Sequence, residues 1–372
     1  MIDRRLINRF DLWFLLVILL ILGMGVLSIY SVTHARTSGA STPVYVKQII
    51  WILAGWLLFF VCAFYDYHKL SRYSVPLYSG GIALLVSVLI IGRTGQGAQR
   101  WLSLGFFDLQ PSEWIKLSLI LILAQYFSTR HRQHGLGLHE LLVPSLLVMI
   151  PVVLVLKQPD LGTTLAVLFI FAAMIFLVGL RSKTVGFSVL LSLMAFPFLW
   201  EIFWNSLKGY QRSRLIAFVD PGLDPMGQGY HALQSKIAIG SGGFLGKGLW
   251  GGTQSQLKFL PEGHTDFIFS VFAEEWGFLG VLVLLSLYLL LIWWGIEAAY
   301  KAKDALGSLI AGGVVAMLVF YVIVNIGMTV GVAPVVGVPL PLMSYGGNSL
   351  VTTMAALGLL LNIRMRRFML FY

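Results

Sequence analysis

Ten unbroken apolar runs, most of them close to the length of a bilayer-crossing helix, constrain this chain more than any other feature. They fall at roughly 12–31, 47–65, 74–92, 113–127, 141–156, 164–180, 185–204, 267–296, 306–330 and 346–363. Runs of about 20 residues match a ~30 Å hydrocarbon core at 1.5 Å rise per residue. With no water in that core, each segment must satisfy its own backbone donors and acceptors, so the runs are helices. Composition agrees: 58% of the 372 residues are hydrophobic and 11% are charged, against roughly 25% charged in an average soluble domain. The expected fold is all-α, a polytopic membrane protein with about ten transmembrane helices in a single membrane domain over residues 1–372. The fifth run is short and carries Pro144 and Pro151, so the pattern does not fix its ends.

The charges arrange themselves around these runs. With the N-terminus in the cytoplasm, the inner connections hold Lys69 and Arg72, Arg130 and Arg132, Arg181 and Lys183, Lys301 and Lys303, and Arg364, Arg366 and Arg367. The short outer connections hold only Arg36, Arg93, Arg100 and Lys157, and none lies between 331 and 345. This is the positive-inside pattern, and it places both termini in the cytoplasm. Together with Arg4, Arg5 and Arg9, topology explains 14 of the 26 basic residues. Much of the formal +10 therefore needs no acidic partner, and no nucleic acid is implied. The single cysteine, Cys62, lies in an apolar run and reads as a small hydrophobe.

One outer connection stands apart. Residues 205–266 form a long extracytoplasmic loop between the seventh and eighth spans, Gly-rich from Gly240 to Gly252. It sets Lys208, Arg212, Arg214, Lys236, Lys247 and Lys258 against Asp220, Asp224 and Glu262. Loops of that length in compact proteins are usually functional.

Polar residues at the membrane mouth are functional candidates because burying them in lipid is costly. Arg100 belongs to Gly97-Ala98-Gln99-Arg100-Trp101-Leu102, followed by Gln110-Pro111-Ser112-Glu113-Trp114-Ile115-Lys116. Pro111-Ser112-Glu113 resembles a helix start. Glu113 and Lys116, three apart, share a helical face, as an ion pair or as part of a cavity. Asp160, in Gln158-Pro159-Asp160-Leu161-Gly162-Thr163-Thr164, reads as a helix cap or a site acid. In the long loop, Arg212 and Arg214 carry a fixed fork of donors suited to phosphate oxygens. No GxxxxGK[ST] order accompanies them, so this is not a Walker loop. Leu260-Pro261-Glu262-Gly263-His264-Thr265-Asp266 is the sharpest cluster. Asp266 is the last charge before the eighth apolar run, as a cap or as a working acid, and Glu274 and Glu275 follow deeper. His264 has no spaced His or Cys companions, which argues against zinc. Finally, Asn325-Ile326-Gly327-Met328 and the uncharged Pro/Gly-rich stretch from Pro334 to Ser349 suit either a lipid-shaped rim or a tight turn.

Read in order, GAQRWL, QPSEWIK, QPDLGTT, GYHALQSKIAIGSGG, GTQSQLKFLPEGHTDFIF, NIGM and PVVGVPLPLMSYGG resemble the SEDS family of shape, elongation, division and sporulation proteins. The set spans residues 97–349. SKIAIGSGG, GTQSQ and LPEGHTDFIF are closer to the rod-shape branch, RodA, than to the division branch, FtsW. Trp114 and Trp276 stand where an aliphatic or small residue is expected. The resemblance implies ten spans with both ends inside. It also implies a peptidoglycan glycosyltransferase that polymerises lipid II into glycan strands on the outer face of the cytoplasmic membrane, during elongation and rod-shape maintenance. The family's essential acid maps onto Asp266, and the acid and lysine of QPSE..K map onto Glu113 and Lys116. A class B penicillin-binding protein and the elongation machinery are the implied partners.

The chemistry suits these residues. A sugar on a lipid diphosphate has a good leaving group that needs cations, not a general acid. One base is then enough, unlike the two carboxylates of ordinary glycosidases. Asp266 would take the proton of the acceptor hydroxyl, giving inversion. Lys116, Arg212, Arg214 and Lys236 are candidates for the diphosphate, with or without a divalent cation such as Mg or Mn; Arg100, Glu262 and His264 complete the substrate-binding candidates. The rival is a lipid-precursor flippase. Against it, the charges gather at one face and not at the midplane where carriers bind, and no internal repeat is evident.

Overall fold

The structure, a computed structural model, describes residues 11–34, 43–95, 98–103, 105, 108–129, 135–187, 194, 201, 204–205, 207, 209–220, 228–257, 259–260 and 262–367. The seventh expected run lies mostly outside the described residues. So do Arg4, Arg5, Arg9, Arg36, Arg130 and Arg132 among the topology charges, and Lys208, Asp224, Lys258 and Pro261 of the loop. Among the described residues, seven helices are long and apolar enough to cross a membrane: Leu12–Thr33, Val44–Phe64, Ser74–Ile91, Leu138–Lys157, Leu161–Val178, Ile268–Tyr300 and Ala305–Val330. The chain is an all-α polytopic membrane protein.

Two further helices match expected runs but fall short on apolar character. These are Pro111–Ser128 and Gly347–Arg366, and the reason is where they sit. We label the principal helices α1 (Leu12–His34), α2 (Val44–Phe64), α3 (Ser74–Ile91), α4 (Pro111–Ser128), α5 (Leu142–Lys157), α6 (Leu161–Val178), α7 (Gly209–Val219), α8 (Gln228–Ser241), α9 (Ile268–Tyr300), α10 (Ala305–Val330) and α11 (Gly347–Arg366). The chain forms two compact units: Met1–Phe64, Ser213–Glu297 and Leu318–Met365 in one, and Tyr65–Arg212, Ala298–Met317 and Arg366–Tyr372 in the other.

In the second unit, α3, α5 and α6 pack around α4. Nearly every residue of α4 is buried, from Pro111 through Ala124. A helix enclosed by protein on all sides can carry polar groups that a lipid-facing one cannot. Pro111 opens it at N1, where the missing N–H goes unused. A small antiparallel sheet leads into it, with β1 (Arg93–Gly95), β2 (Ala98–Ser103) and β3 (Asp108–Leu109) in that order.

The link between α2 and α3 in this unit is a polar knot. Asp66 caps the short helix Tyr67–Arg72 by accepting from the His68 backbone N–H at 2.9 Å. The His68 ring stands between two carboxylates, Nδ1 3.0 Å from Asp66 Oδ1 and Nε2 2.9 Å from Asp304 Oδ2. Tyr67 donates to Asp304 at 2.7 Å, and Arg366 Nη1 lies 3.4 Å from Asp66 Oδ2. Burial pushes the Asp66 carboxyl up, but the His68 N–H and ring and the Arg366 charge outweigh it and hold it below its ordinary value. Burial and the Asp304 carboxylate push the Tyr67 phenol up. A depressed carboxyl stabilises fully above its unfolded pKa of about 3.9 and loses that contribution as pH falls through its folded value. A raised phenol stabilises fully below about 10 and loses its contribution as pH rises. The joint contribution of these two groups to stability should therefore be constant between about pH 5 and pH 9 and fall on both sides. In Asp66→Asn the acid-side loss should be smaller, which differential scanning fluorimetry would read; an unchanged acid limb would remove Asp66 from the linkage.

In the first unit α11 is the enclosed helix, buried almost throughout. Small residues bring α2 against it. A methyl on Gly55 would sit 3.0 Å from Leu350 and Met354, and one on Gly358 would strike the Phe59 backbone. Helix α9 is broken at Gly277, whose φ of 63° and ψ of −163° lie outside the helical region. The glycine-rich segment 242–248 heals the break. Lys247 and Gly248 donate their N–H groups to the carbonyls of Glu274 and Glu275, at 3.0 Å each. Gly243 and Phe244 carbonyls accept from Phe278 at 2.9 Å and Leu279 at 3.2 Å. Side chains at 242 or 246 would collide with the carbonyls of Ala273 and Glu275. The buried Glu274 carboxylate locks the strap, accepting from Lys247 Nζ at 2.8 Å and from the hydroxyl of Thr253 and the N–H of Gln254 at 3.1 Å each. Irregular backbone at a helix break is tolerated only when its polar groups are satisfied in this way.

Candidate active site

Helix α9 begins where the long loop ends, and the turn before it carries Asp266. Glu262 closes that turn: its carbonyl accepts from Thr265 N at 3.1 Å and Phe267 N at 3.2 Å, and its carboxylate from Thr265 Oγ1 at 2.9 Å. Beneath lies an apolar floor of Val32, Ala238, Leu260, Phe267, Val271, Met328 and Val335.

Three successive carbonyls of this turn each take a donor from the C-terminal part of the same unit. His264 O accepts from Tyr345 N at 2.9 Å, Thr265 O from Ser344 Oγ at 2.7 Å, and Asp266 O from Asn325 Nδ2 at 3.0 Å. The backbone at Asp266 is thus fixed from outside its own element, independently of its carboxylate. Preorganised groups of this kind need no rearrangement during reaction. The His264 ring stands 5.8 Å from that of Tyr345, whose phenol burial pushes up.

Gly337 defines what faces the carboxylate. Its φ is +73°, and a methyl on it would fall 3.3 Å from Asp266 Oδ2 and 3.5 Å from Arg214 Nη1. The carboxylate and the guanidinium therefore lie within about 7 Å of each other across a position with no side chain. At Gly331, φ +79°, the stem of Lys236 crosses so close that a methyl there would overlap it. Gly331 follows α10, so the ammonium sits by the negative end of that helix's dipole. Lys236 rides on α8, which is tied down by Ser235 Oγ to the Thr329 carbonyl at 2.7 Å and to Ser270 Oγ at 2.6 Å.

Asp266, Arg214, Lys236, Glu262 and His264 all belong to this unit, and the first two share one notch. Arg212 belongs to the second unit. It lies two residues from Arg214 on α7, about 200° around the axis. In the second unit its Nε donates to the Trp204 carbonyl at 3.0 Å and its guanidinium covers the Trp204 ring at 5.8 Å.

The remaining candidates lie in the second unit. Lys116 Nζ is 2.9 Å from Glu113 Oε1, with side chains 1% and 6% exposed, so the expected face-sharing pair is a buried ion pair. Arg100 Nε donates to the Gln158 carbonyl at 3.2 Å, and its Nη2 to the Pro159 carbonyl. It thereby braces the turn before α6. Asp160 is that helix's N-cap, accepting from Thr163 N at 3.2 Å, so the capping reading holds for it.

Among the described residues no group of three or more His, Cys, Asp or Glu side chains converges to hold a metal ion. In the sequence Asn325, Ser344 and Gly337 are only members of motifs; their contacts around Asp266 exist only in the fold. The one available signal was Asn325 itself, a polar side chain inside the apolar run 306–330.

The family model for cell cycle proteins of the FtsW, RodA and SpoVE kind matches residues 11–368. The peptidoglycan glycosyltransferase MrdB of Escherichia coli K12 is 42% identical over 364 residues, covering 96% of this chain and 94% of that protein. The peptidoglycan glycosyltransferase RodA of Treponema pallidum is 34% identical over 431 residues, covering 98% and 99%. Among solved structures, a chain from a peptidoglycan synthase complex that coordinates polymerization and crosslinking superposes with a TM-score of 0.79 at 37% identity, covering 96% of this chain and 98% of that one. The rod shape determining protein RodA of Thermus thermophilus gives 0.70 at 31% identity, covering 97% and 98%.

Proposed function

The chain belongs to the FtsW, RodA and SpoVE family of cell cycle proteins, and from that premise we propose that it is a peptidoglycan glycosyltransferase. It polymerises lipid II into glycan strands, with its active face outside the cytoplasmic membrane and both termini inside. Asp266 accepts the proton of the acceptor sugar's hydroxyl as that oxygen attacks the anomeric carbon of the donor. The new C–O bond forms on one face while the bond to the lipid diphosphate breaks on the other, so the configuration inverts. The diphosphate leaves with the bonding electrons, and Arg214 and Lys236 are the cations placed to meet its charge. A class B penicillin-binding protein is the partner that crosslinks the product.

The observation that supports this most directly is the notch at Gly337. A carboxylate on a pinned backbone and a guanidinium share one position without a side chain. That is a fixed site for two oppositely charged tasks, and not the midplane site of a carrier. The test uses purified protein with and without a class B penicillin-binding protein, supplied with lipid II in detergent. Glycan strands on a gel are expected, with lipid diphosphate released. Lipid II moved across vesicle membranes without strands in either preparation would favour the flippase.

A further inference from the structure

We propose that Asn325 is a positioning residue for Asp266, holding the base and the floor of its notch in register; this rests on Asp266 being the base of the proposed reaction. Asn325 lies near the C-terminal end of α10 and is fully buried. Its Nδ2 donates to two carbonyls from separate parts of the chain, Asp266 at 3.0 Å and Val338 at 2.7 Å. That nitrogen has two hydrogens, so both are used. Because both partners are carbonyl oxygens, the carboxamide's orientation is determined: flipped, it would set oxygen against oxygen.

Asn325 Oδ1 is buried and accepts no hydrogen bond from the described residues, so the amide's hydrogen bonds to them are all made by its nitrogen. What the amide supplies is the double donation. Val338 directly follows Gly337, so the same two hydrogens fix Asp266 and the backbone that leaves room beside its carboxylate. Asn325 touches neither substrate nor reacting atoms in this account. It acts through the position of Asp266 Oδ2 relative to Arg214 Nη1.

The test is steady-state polymerisation by the full-length protein with its class B partner, comparing wild type, Asn325→Ala and Asn362→Ala. Asn362 is an equally buried amide whose Nδ2 donates to the Cys62 carbonyl at 2.8 Å, so its loss measures generic loosening. Misplacing a reacting group by about 1 Å costs up to ~10²-fold. Asn325→Ala should lower kcat about 10- to 100-fold, leave KM for lipid II nearly unchanged, and move the acid limb of the pH–rate profile. Asn362→Ala should do none of these. An unchanged kcat in Asn325→Ala, or equal losses in both variants, would overturn the inference. If Asn325→Ala does not fold, Gly337→Ala reads the same geometry from the segment that faces the carboxylate. Its methyl pushes on Asp266 Oδ2 and should lower kcat with KM held, and an unaffected kcat there would overturn the inference equally. An inactive wild type removes the glycosyltransferase reading and this inference with it. A wild type and an Asn325→Ala variant that are equally active remove the positioning role alone.

Discussion

Asp266→Asn should accumulate to the wild-type level and polymerise lipid II at least ~10²-fold more slowly, the usual worth of a positioned base. The substitution isolates one property. Asn has nearly the same size, and it caps helices about as well as Asp. The contacts that fix this position, from Asn325, Ser344 and Tyr345, all go to main-chain carbonyls of residues 264–266. They survive the change. What is lost is the capacity to take a proton and the negative charge beside Arg214. A gel of glycan strands, wild type beside Asp266→Asn at equal protein, decides the matter. Strands of equal amount would remove Asp266 as the base.

Lys116→Met is expected to fail differently, by losing folded protein as well as activity. The Glu113–Lys116 pair is almost sealed inside the bundle around α4. Lys116→Met takes a partner 2.9 Å away from a buried carboxylate, and breaking a buried pair costs roughly 3–5 kcal/mol. A domain's whole stability is about 5–15 kcal/mol, so a severalfold drop in monodisperse protein on size exclusion should follow. The double variant Glu113→Gln, Lys116→Met removes both charges, and replacing a buried pair together is often close to neutral. Its yield should return. Its polymerisation should not, on the sequence reading of Lys116 as a candidate for the donor diphosphate. A double variant that folds and polymerises at the wild-type rate would confine the pair to a structural role.

How far local reading reached is clear from particular elements. The runs at 74–92 and 306–330 were found nearly to the residue, because a bilayer imposes length and apolar character on each segment separately. Glu113 and Lys116 were paired by their spacing on one turn of helix. Arg212 and Arg214 lie two residues apart on α7, about 200° around its axis, and the Arg212 guanidinium covers the Trp204 ring. Asp160, which reads first as a cap and second as a site acid, is the cap of α6 through its bond to Thr163.

Hydropathy and charge alone determined that this chain is a membrane bundle, and the order of its motifs pointed to Asp266 as its sharpest acid. Only the tertiary structure decided what surrounds that acid. It enclosed α4 and α11 so that they tolerate polar residues, and it healed the break at Gly277 with a strap some thirty residues upstream. It also set Asn325 and Ser344 against a turn 59 and 79 residues away. Period and composition report forces that act within one segment, chiefly the transfer of apolar surface out of water and the satisfaction of a helix's own backbone. Hydrogen bonds between distant carbonyls and amides, and the room left by one missing methyl at Gly337, arise only when segments meet, and leave no periodic trace in the residues that make them.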